Sequence, residues 1–515
     1  MSGRRRAGWP LAACAGVAAT LLGVGVGELV AALLAGSSSP VLAVASALVD
    51  LAPGWAKETA IQWFGTGDKA ALVSGIGVVL LLVAAAAGVL ERRWRWSGTA
   101  LLLLCGAGGL VAVLTRAALT QLAALPVLCA SAAACVALSL LIHRALPAAP
   151  AGRAPAGPPS GSRRRFLLWS AGTAAAGLLA IAGGVLASSG RRAVVAARTA
   201  LRLPTPSSTA AVPAQAQVDV PGMTPFITPN TDFYRIDIAF RLPELDPGNW
   251  SLRIHGLVEQ ELTIGWDELV GLPMAESVTT LSCVSNEVGG TLVGNAVWLG
   301  TPIRSLLERA RPQAGADMLL SKAPDGFTAG TPLDVLRDPG RNAILAIGMN
   351  GEPLPLEHGY PVRMVVPGLY GYVSGTKWVT DWEVTRFADA AAYWTRLGWS
   401  ERGPVKLASR IDVPRAGASV AAGAVAVAGV AWHPHTALSG VQVQVDQGEW
   451  TAAELAPGVG VDSWREWVWH WDAKPGNHVL RVRALDADGT PQTEVRAAPA
   501  PDGASGLHEI AVHVG

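Results

Sequence analysis

Five apolar stretches crowd the first 190 residues: Leu11–Leu34, Ala70–Leu90, Gly98–Leu114, Ala117–Ile142 and Phe166–Ser188. Each approaches or exceeds the ~20 residues needed to cross ~30 Å of hydrocarbon. A lipid-exposed segment of that length has to be a helix, because only a helix satisfies its own backbone hydrogen bonds. Gly98–Leu114 is short and Pro126 interrupts the fourth stretch, so four spans plus a re-entrant segment is an alternative; five spans is the preferred reading. Half of the 515 residues are hydrophobic and 15% are charged, against roughly 25% charged in soluble globular proteins. A net charge of +1 provides no polybasic field for nucleic acid, so the bilayer is an expected partner and DNA and RNA are not.

Lys and Arg are retained on the cytoplasmic side of short loops. With the N-terminus inside, that side holds Arg4, Arg5, Arg6, Arg92, Arg93, Arg95, Arg144, Arg153, Arg163, Arg164 and Arg165, against Lys57, Lys69 and Arg116 on the other. Five spans then put everything after residue 190 outside the cytoplasm, as one end of a multi-pass plasma-membrane protein. Haem in this half would call for axial histidine pairs. The sequence has only His143 before residue 190, and no C-x-x-C-H anywhere, so no haem is expected. Glu28 lies inside the first stretch, where a carboxylate is costly; proximity to the outer interface or a helix dipole is the favoured explanation.

Ser162-Arg163-Arg164-Arg165-Phe166-Leu167-Leu168 precedes the last stretch and matches a twin-arginine export signal, although an ordinary positive-inside flank would also supply three arginines. From about Gly190 to Pro221 the chain is rich in Ala, Pro and Ser without periodicity, as expected of an extended linker. The domains read as 1–189 transmembrane, 190–221 linker, 222–406 an α+β domain, and 407–515 an all-β immunoglobulin-like sandwich.

In the α+β region, Trp250–Gly256, Ser277–Cys283, Arg341–Ile347 and Pro361–Val366 are predicted strands, and Pro302–Arg309 a helix with Ile303, Leu306 and Leu307 on one face. Beyond Leu407, short alternating segments such as Val441–Val445, Trp467–Trp471 and Val479–Leu485 predict a sandwich. The alternating tryptophans read as one packed face, because period two is what a half-buried strand requires.

Of five cysteines, Cys14, Cys105, Cys129 and Cys135 lie in apolar runs, which leaves Cys283 for the exported half. It follows a strand and enters a turn of small polar residues, where a soft thiolate could meet a metal; taken alone, a single Cys is more often a buried hydrophobe. His358, Arg363 and Lys377 flank the Gly-rich run Pro367–Gly375, a grouping suited to a phosphate or other oxyanion or, equally, to a strand pair with solvated charges.

Thr228–Arg235, Thr280–Asn286 and the His358–Trp378 block together resemble the sulfite oxidase family of molybdopterin-dependent oxidoreductases, and Ala426–Trp432 through His508–Ile510 resembles that family's dimerisation domain. The resemblance covers residues from about 220 to 515. It implies a molybdenum–molybdopterin cofactor, with Cys283 as metal ligand, Asn230, Phe233 and Tyr234 lining the pterin, and His358, Arg363, Gly375, Thr376 and Lys377 holding the pterin and its phosphate. Ser321 matches a further polar contact loosely. The family's active-site tyrosine is replaced by Trp399. Sulfite-oxidising members place arginines just before Asn230 and soon after Cys283, whereas this chain has Pro229 and then no Lys or Arg until Arg304. An anion in a dry pocket needs cationic partners, so sulfite is a doubtful substrate. The expected activity is oxygen-atom transfer on a small molecule, with electrons exchanged with a separate carrier such as a cytochrome or quinone-linked protein and two copies pairing through the C-terminal domain. Alternatives are a reductase of sulfoxides or related S- or N-oxides, and a non-catalytic surface binding protein.

Overall fold

The computed structural model describes residues 9–34, 39–53, 56, 59–60, 63–64, 67–115, 122–145, 160–186 and 189–515. Of the charges used above for orientation, Arg4, Arg5, Arg6, Lys57, Arg116 and Arg153 lie outside these. The chain divides into two compact units, Met1–Ala193 and Val194–Gly515.

Among the described residues, the first unit contains five helices long and apolar enough to cross a membrane: Trp9–Leu34, Lys69–Arg93, Ser97–Leu114, Leu125–Arg144 and Arg164–Gly184. The fourth starts at Leu125, later than the apolar run suggests. Pro126 sits in the first turn of its helix and does not interrupt it, a position where the missing N–H costs nothing. A shorter apolar helix, Pro40–Leu51, was not expected; Ser39 caps it and also donates a 2.7 Å hydrogen bond to Glu28 Oε1, which gives that carboxylate its partner. Small residues bring the helices close: a Cβ on Gly16 would fall 2.0 Å from the Ala84 carbonyl, the tight approach that packs helices in lipid. His143 stands 2.9 Å from the buried Glu91, which also accepts the Trp96 and Thr99 N–H groups. The arginine triplet lies at the start of the helix Ser160–Leu186.

The stretch expected to be an extended linker begins as a helix, Ser189–Ala200. Beyond it the chain lies against the folded unit: Ser207 N–H and Oγ–H both donate to the Met274 carbonyl, and Val218 N–H donates to Glu466. The repeated prolines interrupt regular structure here without preventing packing, which is why composition missed it.

Strands β1 (Ser251–Gly256), β2 (Leu262–Gly265), β5 (Met318–Lys322), β6 (Thr328–Pro332) and β10 (Asp381–Thr385) form one sheet in the order β2-β1-β10-β5-β6, with β1 and β10 parallel. A second sheet has the order β3 (Ala275–Ser282), β4 (Val293–Pro302), β7 (Ile344–Met349), β8 (Glu352–Pro353), and β9 (Arg363–Val365) pairs with β7. One core joins the sheets, with Leu252, Ile254 and Trp382 from the first, and Leu299, Leu345 and Ile347 from the second. The predicted helix appears as Ile303–Ala310, with Ile303, Leu306 and Leu307 buried.

The remainder builds two further sheets, β11 (Ala408–Val413), β13 (Gly423–Trp432), β17 (Arg465–Ala473) and β16 (Glu454–Leu455) in one, and β12 (Ser419–Val420), β19 (His508–Val514), β18 (Gly476–Asp486), β14 (Leu438–Val445) and β15 (Thr451–Ala452) in the other. They share a core in which Trp467 and Trp471 of β17 meet Val443, Leu480 and Ile510, with Trp469 partly buried against it. The alternating tryptophans are thus packing residues.

Candidate active site

Cys283 follows the last residue of β3, and its N–H donates to the Leu292 carbonyl, so the thiol is fixed where β3 leaves the sheet. Arg363 opens β9. Its neighbour Met364 donates its N–H to the Thr376 carbonyl, which lays the segment around Lys377 beside Arg363. Gly359 permits this closeness: with φ +110, a Cβ there would fall 2.9 Å from Arg363 Cβ and 3.1 Å from Lys377 Cβ. The result is a cavity of about 850 Å³, including the solvent at its mouth, that brings Cys283, Arg363, Gly375 and Lys377 together with Phe233, Tyr234 and Trp399.

Asn230, Ser321, His358 and Thr376 stand behind this lining. His358 Nε2–H donates to the Asn230 carbonyl at 3.1 Å and its ring meets Phe233 edge to face. Ser321, on β5, lies 2.6 Å from Thr376 Oγ1 and so ties the first sheet to the Arg363–Lys377 segment. Gly375 N–H is already donated to Gly371, so that glycine contributes closeness to Arg363 Nη2 and not a free donor.

The floor of the cavity is electropositive. Arg363 is buried, lies over the Trp298 ring at 4.9 Å, and donates to the His358 and Met364 carbonyls; no carboxylate pairs with it among the described residues. Burial drives its guanidinium down to about 10. Lys377 Nζ lies 3.1 Å from Asp237 Oδ2, a carboxylate that Arg235 also holds at 2.8 Å. Burial, with Arg363 nearby, brings the Lys377 ammonium down to about 8 despite Asp237. His358 is pushed down to about 3 by burial and then by Lys377 and Arg363. It is therefore neutral at pH 7, and because Nε2 carries the proton, Nδ1 is a buried acceptor without a partner. Burial raises the Cys283 thiol, while the Ser285 N–H and hydroxyl and the Lys377 charge pull it back.

Sequence reading missed Asp237, Asp325, Phe327, Tyr372 and Trp394 as lining residues. Tyr372 lies within the His358–Trp378 block, whereas Asp237 carried no local signal: its role comes from Lys377, 140 residues away.

The family model of the oxidoreductase molybdopterin binding domain matches residues 239–394. The oxidoreductase YuiH of Bacillus subtilis (strain 168) is 32% identical over 158 residues, covering 31% of this chain and 76% of YuiH. The chain belongs to the molybdopterin-binding oxidoreductases. Mitochondrial sulfite oxidase of Homo sapiens is 30% identical over 292 residues, 48% of this chain and 53% of its own, so the chain spans about half the length of the sulfite oxidases it matches. Among solved structures, the sulfane dehydrogenase SoxCD from Paracoccus pantotrophus aligns over 55% of this chain and 80% of its own, with 23% identity and a TM-score of 0.48.

The cofactor of this molybdopterin-binding oxidoreductase is molybdenum–molybdopterin, and the cavity fits it. Cys283 places a soft sulfur donor in the cavity lining, the kind of ligand a molybdenum centre takes. Arg363 and Lys377 exceed the negative charge around them, as a phosphate requires. The lone pair of His358 Nδ1 awaits an N–H donor.

Proposed function

We propose that the protein is a membrane-anchored, extracytoplasmic molybdoenzyme acting on a small uncharged or cationic substrate and exchanging electrons with a separate carrier. The observation that carries this reading is the placement of one buried-strand thiol, Cys283, in the same cavity as Arg363 and Lys377. When bound, the molybdenum centre supplies two-electron oxygen-atom-transfer chemistry. The chain does the rest. Cys283, once deprotonated, would offer its sulfur to the metal; Arg363 and Lys377 would hold the cofactor phosphate; neutral His358 would support the site from behind the lining; and Phe233 and Tyr234 would bound the pterin.

The cavity's two cations lie on its floor and are occupied by these roles, and the remaining lining has no Lys or Arg. A desolvated dianion such as sulfite would have no partner there. This favours S- or N-oxides and related neutral molecules over sulfite. Five apolar helices and the arginine count support anchoring with the cavity outside the cytoplasm, and the Arg163-Arg164 pair supports export of a folded, loaded domain. We assign the immunoglobulin-like reading and pairing of two copies to the two sheets after residue 407. Metal and pterin analysis of the purified chain, followed by an anaerobic substrate panel, tests the proposal: no molybdenum would refute it, and turnover of sulfite above all neutral oxides would refute the substrate class.

A further inference from the structure

The turn that carries Cys283 is closed on itself. Cys283 N–H donates to the Leu292 carbonyl at 2.9 Å, and Leu292 N–H donates to Asn286 Oδ1 at 2.8 Å, so the backbone of the thiol rests on Leu292. Just before Leu292, the Gly290 carbonyl accepts a 2.9 Å hydrogen bond from Arg410 Nη1, which comes from β11, 120 residues along the chain. The Arg410 guanidinium is buried and spread over three segments: Nε and Nη2 pair with the two oxygens of Asp412, Nη2 also reaches Thr224 Oγ1 at 3.2 Å, and Nη1 takes Gly290. Asp412 answers its charge, so what Arg410 contributes at Gly290 is geometry, the fixed fork of a planar cation.

Two further contacts from beyond residue 407 converge on the same hairpin. Gly289 has φ +76, and a Cβ there would fall 2.2 Å from His508 Cδ2, so the His508 ring closes on bare backbone while its Nδ1 accepts the Ile411 N–H at 3.0 Å. On the other limb, Thr280 of β3 donates its N–H to the Asp462 carbonyl at 2.9 Å and accepts the Trp464 N–H on its hydroxyl at 2.7 Å. Trp432 and Trp464 also share one core with Leu299 of β4 and Leu345 of β7. A metal ligand has to be held to about 0.5 Å. Adjacent glycines, Gly289 and Gly290, are the most freely rotating backbone a turn can have, and the grip from β11 removes that freedom.

We propose that Arg410 is a positioning residue for the Cys283 thiolate: by fixing the Gly290 carbonyl it sets, through Leu292, where the sulfur is presented to the metal. This rests on Cys283 being the metal ligand, and adds what holds it in place.

The first measurement needs no cofactor. Hydrogen exchange of the full metal-free chain in detergent is read by mass spectrometry in peptides covering Cys283–Leu292 and, as a reference, β1 and β10. Arg410→Lys keeps a cation for Asp412 but has no fork to reach Gly290 as well. It should speed exchange across Cys283–Leu292 about ten- to a hundredfold, as loss of a charge-assisted hydrogen bond implies, with the reference peptides unchanged. Thr224→Val removes a different contact of the same guanidinium and should leave the turn at the parent's rate. The second measurement uses the loaded chain. Sulfur-to-metal charge-transfer absorption depends on how the sulfur lone pair faces the metal, so this band should shift or weaken in Arg410→Lys at unchanged molybdenum content and match the parent in Thr224→Val. Parent-like exchange in Arg410→Lys would overturn the proposal. So would equal acceleration in the reference peptides, which makes Arg410 a general stabiliser, or a loosened turn with an unchanged band. A parent that holds no molybdenum, or holds it without that absorption, would refute the reading on which the proposal rests; exchange in the turn then still decides whether Arg410 sets the thiol.

Discussion

The Arg363 guanidinium lies 4.9 Å from the centre of the buried Trp298 ring, and among the described residues no carboxylate forms an ion pair with it. A guanidinium this dry is stabilised by a π-face and two carbonyls only, an arrangement that favours a bound anion. Arg363→Met should therefore cost cofactor occupancy far more than it costs the emptied domain. The lost charge-assisted contact is worth roughly 1.5–3 kcal/mol, or about ten- to a hundredfold in retention, whereas removing a buried unpaired charge offsets the loss of its carbonyl contacts. Pterin fluorescence and thermal unfolding of the metal-free chain measure the two separately; equal losses in both would refute the assignment.

Cys283→Ser should yield a folded chain that retains pterin and has no turnover. The hydroxyl fits the same turn, where Leu292 holds the backbone, but it is neither soft nor readily ionised. X-ray absorption at the molybdenum edge should show one sulfur fewer. Unchanged metal coordination would sink the ligand role.

Glu466 predicts a pH effect outside the cavity. It is fully buried on β17, and its Oε2 accepts from Val218 N–H at 2.6 Å and from Gln217 Nε2 at 3.1 Å, while Oε1 has no partner. Burial, with Asp412 adding to it, raises the carboxyl to about 7 in spite of the Val218 hydrogen bond. The folded chain therefore binds more protons here than the unfolded chain between pH 4.5 and 7, and stability falls as pH rises through that window, by at most about 3 kcal/mol. Glu466→Gln should flatten this slope, and its Tm relative to the parent should be higher at pH 8 than at pH 5. A parallel pair of Tm–pH curves would show that the group does not titrate.

How much of this was legible in the sequence follows from distance along the chain. Cys283 stood out because no other thiol occurs after residue 190, and the block from His358 to Lys377 because anchor, turn and cation occur within 20 residues. The long apolar helices were legible from length and apolarity, the two properties that a bilayer would enforce. The segment after Ala200 was not, since an irregular chain can be fully packed, as Ser207 on Met274 and Val218 on Glu466 demonstrate. Asp237 and Asp325 were hidden for another reason. Each is an ordinary loop carboxylate until the fold brings Lys377 to one and Trp394 and Trp399 into the same cavity as the other.

The Arg163-Arg164 pair separates charge from recognition. Both residues lie in the helix Ser160–Leu186 that precedes the second unit in the chain, and the export proposed for a folded, cofactor-loaded unit would need a receptor that reads the pair. Positive-inside orientation treats Lys and Arg alike, and changing both to Lys should leave the helix inserted in the same sense. A receptor that reads planar guanidinium donors should fail on the variant, because Arg and Lys are not interchangeable where fork geometry is recognised. Protease added to the outer face should then digest the second unit of the parent and spare that of the variant. Equal digestion of both would mean that the arginines act only as a topological flank, and that the unit reaches the outer face and acquires its cofactor by another route.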